Sequence, residues 1–250
     1  MYICTMKDNQ LIQQDNTAAL RSAIAARHSV RHYLPKPLAA DVTAVLKEEI
    51  DRCNRDGDLR IRLVTGEPRA FKGIASYGKF TCVENYLVMA GPKEDWLDGR
   101  VGYFGERLVL LAQSQGVNSC WVGLTYRRVG EAFRFADNGR VACVIALGYG
   151  ATQGVVRKSK PICKVSNVDA SSPEWFVRGV KAALLAPTAT NQQKFYIELT
   201  GEKTPDGKPI VDCRRVFSLI GYTQMDLGIV RLHFELGAGT GNFAWKNPLD

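Results

Sequence analysis

The sequence predicts an α+β fold in which helices flank a mixed sheet, and three observations carry that prediction. Several stretches place apolar residues at helical spacing, most clearly Asp98 to Gln115. The runs Tyr86–Ala90 and Val141–Leu147 are short, continuous and apolar, as strands buried on both faces are. Helix, strand, helix occurs over Asp41–Gln115 and again over Pro173–Leu236, which suggests two pseudo-repeated halves within one chain.

Taken in order, Asn16 or Thr17 caps a first helix whose Ala19, Leu20, Ala23 and Ile24 share a face. Asp41 is expected to cap a second, with Val42, Val45, Leu46 and Ile50 as its stripe, before a polar turn at Asn54–Asp58. Ile61–Thr65 reads as a strand and Tyr86–Ala90 as a central one. Between them, Gly73 to Phe80 is a candidate donor loop because it combines two glycines with Lys79. The long helix from Asp98 turns Val101, Phe104, Leu108, Leu111 and Ala112 inward and closes at Gly116. Cys120–Leu124 follows, and Gly123 there would let a flat ligand approach the backbone.

Arg128–Phe135 is expected as a short helix, Val141–Leu147 as the clearest strand, and Arg157 to Pro161 as a compact basic cluster. Ser171-Ser172-Pro173-Glu174 is a helix start, a hydroxyl cap with proline in the first turn, for a helix running to about Leu185. The uncharged loop Ala186–Gln193 leads into a strand at Phe195–Leu199, a turn at Gly201–Lys208 and a last helix over Asp226–Leu236. Gly237 to Gly241 looks like a dinucleotide fingerprint, but it follows a helix and no strand feeds it, so that reading is rejected.

The 250 residues make one domain, 1–250, with halves at 16–165 and 170–245. Seven scattered cysteines without a C-x-x-C pair argue for reduced thiols, and three histidines leave little for a metal site or a Ser-His-Asp triad. There is no membrane-length apolar run and no hydrophobic signal core, so a cytoplasmic protein without membrane attachment is expected. A net charge of +8 suits an anionic partner, but basic residues are not gathered into long blocks with aromatics, so nucleic acid is not expected.

The densest chemistry lies at Arg27-His28-Ser29-Val30-Arg31, where two guanidiniums, an imidazole and a hydroxyl meet a helix end. Guanidinium forks and hydroxyls offer directed donors to a phosphate. Two other features stand in the same chain. Ala186 to Gln193 reads Ala-Pro-Thr-Ala-Thr-Asn-Gln-Gln, and the long helix runs into Gly116 to Gly123.

Together these segments resemble the FMN-dependent nitroreductase family. Arg27 to Arg31 is similar to its R-x-S-x-R opening, Pro187 to Gln193 to its P-S-x-x-N-x-Q loop with Thr188 for serine, and Lys158-Ser159-Lys160 to its late basic contact. The resemblance implies a mainly antiparallel sheet flanked by helices and an oxidoreductase that passes hydride from NADH or NADPH through FMN. The acceptor would be a small nitroaromatic, quinone or similar molecule. It further implies that Arg27, His28, Ser29, Lys158 and Lys160 hold the phosphate and ribityl chain, with Arg31 near the pyrimidine edge. Gly123 and Leu124 would face the flavin ring, Pro187, Thr188, Ala189 and Asn191 would pack its other side, and Lys79 is a further contact. No side chain is assigned a catalytic role. Flavin breakdown or dehalogenation on the same fold, or a non-enzymatic nucleotide or nucleic-acid binder, are the alternatives. An acceptor-binding side chain near Tyr103, Phe104 or Tyr126 would separate these alternatives.

One departure from the family pattern matters. The P-S-x-x-N-type loop lies in the second half of this chain instead of soon after the first motif. A fused arrangement follows, in which the second half lends the loop to the first. One FMN is then held per chain, as a monomer or a homodimer, with no dimer needed to complete the site.

Overall fold

The computed structural model describes residues 17–72, 80–136 and 138–247. Helix α1 covers residues 17–26 and buries Leu20, Ala23 and Ile24. Asn16, the loop 73–79 and Lys79 lie outside the described residues.

Helix α2 (Ala40–Gly57) buries Val42, Leu46, Ile50 and Cys53. It begins before Asp41: Ala39 is its N-cap, and Asp41 lies in the first turn, its Oδ1 accepting the Val42 N–H at 2.8 Å. Val45, expected on the stripe, is exposed, because the inward row advances from Leu46 to Ile50 and Cys53.

Strands β1 (Arg62–Val64), β2 (Asn85–Gly91), β3 (Asn118–Val122) and β4 (Arg140–Gly148) form an antiparallel sheet in the order β1-β2-β4-β3. The long helix α3 (Leu97–Ser114) packs on one face, against Leu87, Met89, Cys143, Ile145 and Leu147. Tyr86, Val88, Val144 and Ala146 point the other way, into a second cluster with Tyr33 and Phe71. Burial on both faces is why these strands read as unbroken apolar runs. Residues 128–135 form only a single turn of 3-10 helix, Glu131–Phe133, because Gly130 at φ 68 breaks the path and Phe133 packs on Tyr86.

Helix α4 (Glu174–Ala183) ends two residues short of Leu185, and Pro173 rather than a hydroxyl occupies its N-cap. The Ser172 hydroxyl donates to Asp169 instead. Strands β5 (Phe195–Lys203), β6 (Pro209–Arg215) and β7 (Ala244–Trp245) form a smaller sheet, antiparallel at β5/β6 and parallel at β6/β7. Only the start of β5 was legible beforehand. β6 alternates buried Val211 and Cys213 with charged residues, so it lacks an apolar run.

The last helix, α5 (Thr223–Ala238), packs between α3 and α4 and joins the two sheets. Its contact with α3 is made by backbone. A Cβ on Gly102 would stand 2.0 Å from the Met225 carbonyl oxygen, and one on Gly228 equally close to that of Gly99. Among the described residues no helix is long and apolar enough to cross a membrane.

Candidate functional site

After α1 the chain becomes extended and runs beside β3: Val30 N–H donates to the Ser119 carbonyl at 3.0 Å, and Ser29 bridges to Ser119. That docking aims alternate residues of the motif in opposite directions. Val30 enters the core, while Ser29 and Arg31 face a cleft of about 640 Å³. The same cleft is lined by Gly123 and Leu124 at the end of β3 and by Pro187, Thr188, Ala189 and Asn191 from the second half. Segments more than 150 positions apart in sequence thus share one cavity, with the first turn of α5 (Met225, Asp226) closing it.

The loop 187–193 is held in an unusual backbone path, with Thr190, Asn191 and Gln193 all at positive φ. Side chains fix it there. Asp226 accepts the Ala189 N–H at 2.9 Å through one oxygen and the Gln192 side-chain amide at 2.8 Å through the other. Gln192 also donates to the Gly221 carbonyl and accepts from the Ser218 hydroxyl at 2.5 Å. Asn191 donates to the Lys158 carbonyl at 2.9 Å, and Thr188 accepts the Gln193 N–H at 3.0 Å. Burial raises the Asp226 carboxyl to about 6, although both of these hydrogen bonds act to lower it.

The basic residues divide in a way the sequence did not reveal. Arg27 does not line the cleft. Its side chain is fully buried, with Nε 3.6 Å from Glu106 Oε1 and no hydrogen bond to any guanidinium nitrogen among the described residues. Arg157 does line the cleft; burial and then the nearby Arg27 charge lower it to about 10, so it stays cationic at neutral pH. Its Nε is also without a partner. His28 is half-buried and is held below its ordinary value by burial and then by the same two arginines.

The Lys158 side chain is exposed and does not line the cleft. Lys160 Nζ donates to the carbonyls of Gln192 and Gln193 at 2.8 and 2.7 Å, so it braces the loop. Arg157, their neighbour, is the member of the basic cluster that turns inward.

The buried Arg27 and the half-buried Arg157 therefore stand near one carboxylate. Glu106 is already engaged: Oε1 is 2.8 Å from His233 Nε2, and Oε2 accepts the Trp121 indole N–H at 2.9 Å. Unpartnered N–H groups on buried cations are costly unless an anion completes them. The donor set thus suits a phosphate where Arg157 lines the cleft, with the Arg27 charge behind it. The cleft lining is otherwise partly apolar, and Leu124 and Val155 on it are both 82% exposed.

Sequence reasoning missed Arg157, Tyr222 and Asp226 as cleft residues. The aromatic candidates it offered lie elsewhere: Tyr103 donates to Glu235 at 2.6 Å, and Tyr126 stacks on Phe133 at 5.9 Å.

Residues 19–238 match the family model described as "Putative TM nitroreductase". Among solved structures, a "putative nitroreductase" from Thermotoga maritima is similar at 24% identity with a TM-score of 0.56, over 87% of this chain and 82% of its own. A "putative nitroreductase in complex with FMN" from Desulfovibrio desulfuricans is 15% identical with a TM-score of 0.47, covering 58% of this chain and 93% of its own. A "Putative NADH dehydrogenase/NAD(P)H nitroreductase" from Bacteroides thetaiotaomicron is 22% identical with a TM-score of 0.44, over 59% of this chain and 95% of its own. No curated protein matches the chain.

Proposed function

The chain belongs to this nitroreductase family, and on that premise we propose that it is an oxidoreductase holding one FMN per chain, with NADH or NADPH as reductant and a small nitroaromatic, quinone or similar acceptor. The observation that carries the reading is the cleft itself. Ser29 and Arg31 from the first half and Pro187 to Asn191 from the second line one cavity together with Arg157, whose Nε has no partner among the described residues.

FMN, when bound, supplies the capacity to accept a hydride and to pass it on. The chain's own residues bind and orient it. Arg157 meets the phosphate, with His28 and Ser29 beside it and the buried Arg27 charge behind. Arg31 lies toward the pyrimidine edge, where a fixed cation favours an anionic reduced ring. Gly123 and Leu124 present backbone to one side, and Pro187, Thr188, Ala189 and Asn191 enclose the other. Both halves of a single 1–250 domain contribute, so a monomer has a complete site.

The test is the visible absorption spectrum of the purified protein, with the released chromophore identified by mass. A flavin spectrum with about one FMN per chain, bleached anaerobically by NADH or NADPH, is the expected result. A colourless protein that takes up no added FMN overturns the proposal.

A further inference from the structure

Tyr222 lines the cleft and packs its ring against the main core, yet the fold makes no use of its hydroxyl. Tyr222 immediately precedes α5 in a left-handed conformation, φ 69, that non-glycine residues adopt rarely and at some cost in strain. Its backbone is fixed on both sides. The Tyr222 carbonyl accepts the Asp226 N–H at 2.8 Å, and Gln192 donates to the Gly221 carbonyl at 3.2 Å. This aims the side chain across the cleft at β3, where a Cβ on Gly123 would stand 2.5 Å from the Tyr222 hydroxyl oxygen. Glycine at 123 is what makes room for the phenol.

The hydroxyl itself makes no hydrogen bond among the described residues. The polar groups around it are committed to the loop: Asp226 to Ala189 and Gln192, Asn191 to Lys158, and Thr188 to Gln193. Tyr222 lines the cleft next to Gly123, in a stretch where Leu124 and Ile220 are exposed. That is where a molecule that must enter and leave at each turnover has access. Burial keeps the phenol above its usual range, so it is protonated at neutral pH and is a donor.

We propose that Tyr222 is the residue that contacts the electron acceptor, its hydroxyl donating a hydrogen bond to a quinone carbonyl or nitro oxygen lying over Gly123. A donor placed where negative charge develops stabilises that charge more as reduction proceeds. The inference rests on the flavin reading, and Tyr222→Phe tests it by removing only the hydroxyl.

Both proteins are compared as isolated with FMN. The variant is expected to retain one FMN per chain and to reduce ferricyanide at the wild-type rate, since that acceptor takes electrons without a hydrogen bond. Its kcat/KM for 1,4-benzoquinone should fall roughly tenfold or more. The dissociation constant for hydroquinone, read from the flavin's visible band without turnover, should rise by a similar factor. Unchanged benzoquinone kinetics and hydroquinone binding overturn the inference. So does loss of FMN from the variant, which would make the hydroxyl part of the cofactor pocket. A wild type that binds no FMN overturns the flavin reading and this inference with it, and that result is seen before any variant is made.

Discussion

The Asp226 carboxylate accepts the backbone N–H of Ala189 at 2.9 Å, tying the first turn of α5 to the loop that the second half contributes to the cleft. The bond has a predictable pH signature. Unfolded, the carboxyl titrates near 3.8; folded, burial raises it to about 6. Between those values the folded chain keeps a proton that the unfolded chain has lost, so stability from this group falls as pH rises. The total loss is about 3 kcal/mol, complete above the folded value. Urea unfolding of wild type and Asp226→Asn from pH 4 to 7.5 isolates it. The difference between the two should shift by about that amount toward the variant as pH rises. A difference independent of pH shows that Asp226 keeps its ordinary titration.

The division among basic residues makes a sharper prediction about flavin retention. Arg157→Ala removes an unpartnered donor from the cleft wall, and Arg27→Ala removes the buried, unpartnered guanidinium behind it. Each should weaken FMN binding by roughly tenfold to a hundredfold, in proportion to a lost charged hydrogen bond. Lys158→Ala removes an exposed side chain outside the cleft and should change affinity by less than about twofold. Titration of FMN fluorescence into the flavin-free proteins gives all three constants. If Lys158→Ala proves the most damaging, the phosphate contact lies outside the cleft described here.

These results separate what could be read from the chain from what could not. Val141–Leu147 was legible because both its faces are buried, and Leu20, Ala23 and Ile24 because one helical face is. Ser29, Arg31 and the 187–191 loop were legible as motifs, and they line one cleft. Arg157 was not separable from Lys158 and Lys160, because side-chain direction in an irregular segment has no period to read. Tyr222 and Asp226 look like any helix start; their place in the cleft depends on where α5 docks. Strand β6 is half charged because one side of it is solvated, which hides it from an apolar-run criterion.

Glu106 ties the motif helix to the rest of the core, being fully buried between Arg27, Trp121 and His233. Glu106→Gln keeps the shape and removes the charge, leaving Arg27 buried without a counterion. Breaking such a pair costs about 3–5 kcal/mol. Urea unfolding should show a loss of that order for the flavin-free variant. Bound FMN should recover more stability in Glu106→Gln than in wild type, because the phosphate then supplies negative charge that Glu106 no longer does. Equal stabilisation of both proteins by FMN would place the phosphate away from Arg27.

The crossing of α3 and α5 sets where Tyr222 and Asp226 sit, and it depends on the absence of side chains at Gly102 and Gly228. A Cβ on Gly228 meets the Gly99 carbonyl oxygen at 2.0 Å and the Tyr103 nitrogen at 2.7 Å, both backbone atoms that cannot rotate aside. Gly228→Ala must therefore push the helices apart, at a cost of about 3 kcal/mol or more, the upper end for overpacking. Gly241→Ala is the control, since nothing lies within 4 Å of a Cβ there, and it should fall within about 0.5 kcal/mol of wild type. Displacing α5 also moves the carboxylate that holds Ala189, so Gly228→Ala should be isolated with less flavin than wild type even where it remains folded. A variant of wild-type stability and full flavin content would mean that the two helices do not cross in backbone contact.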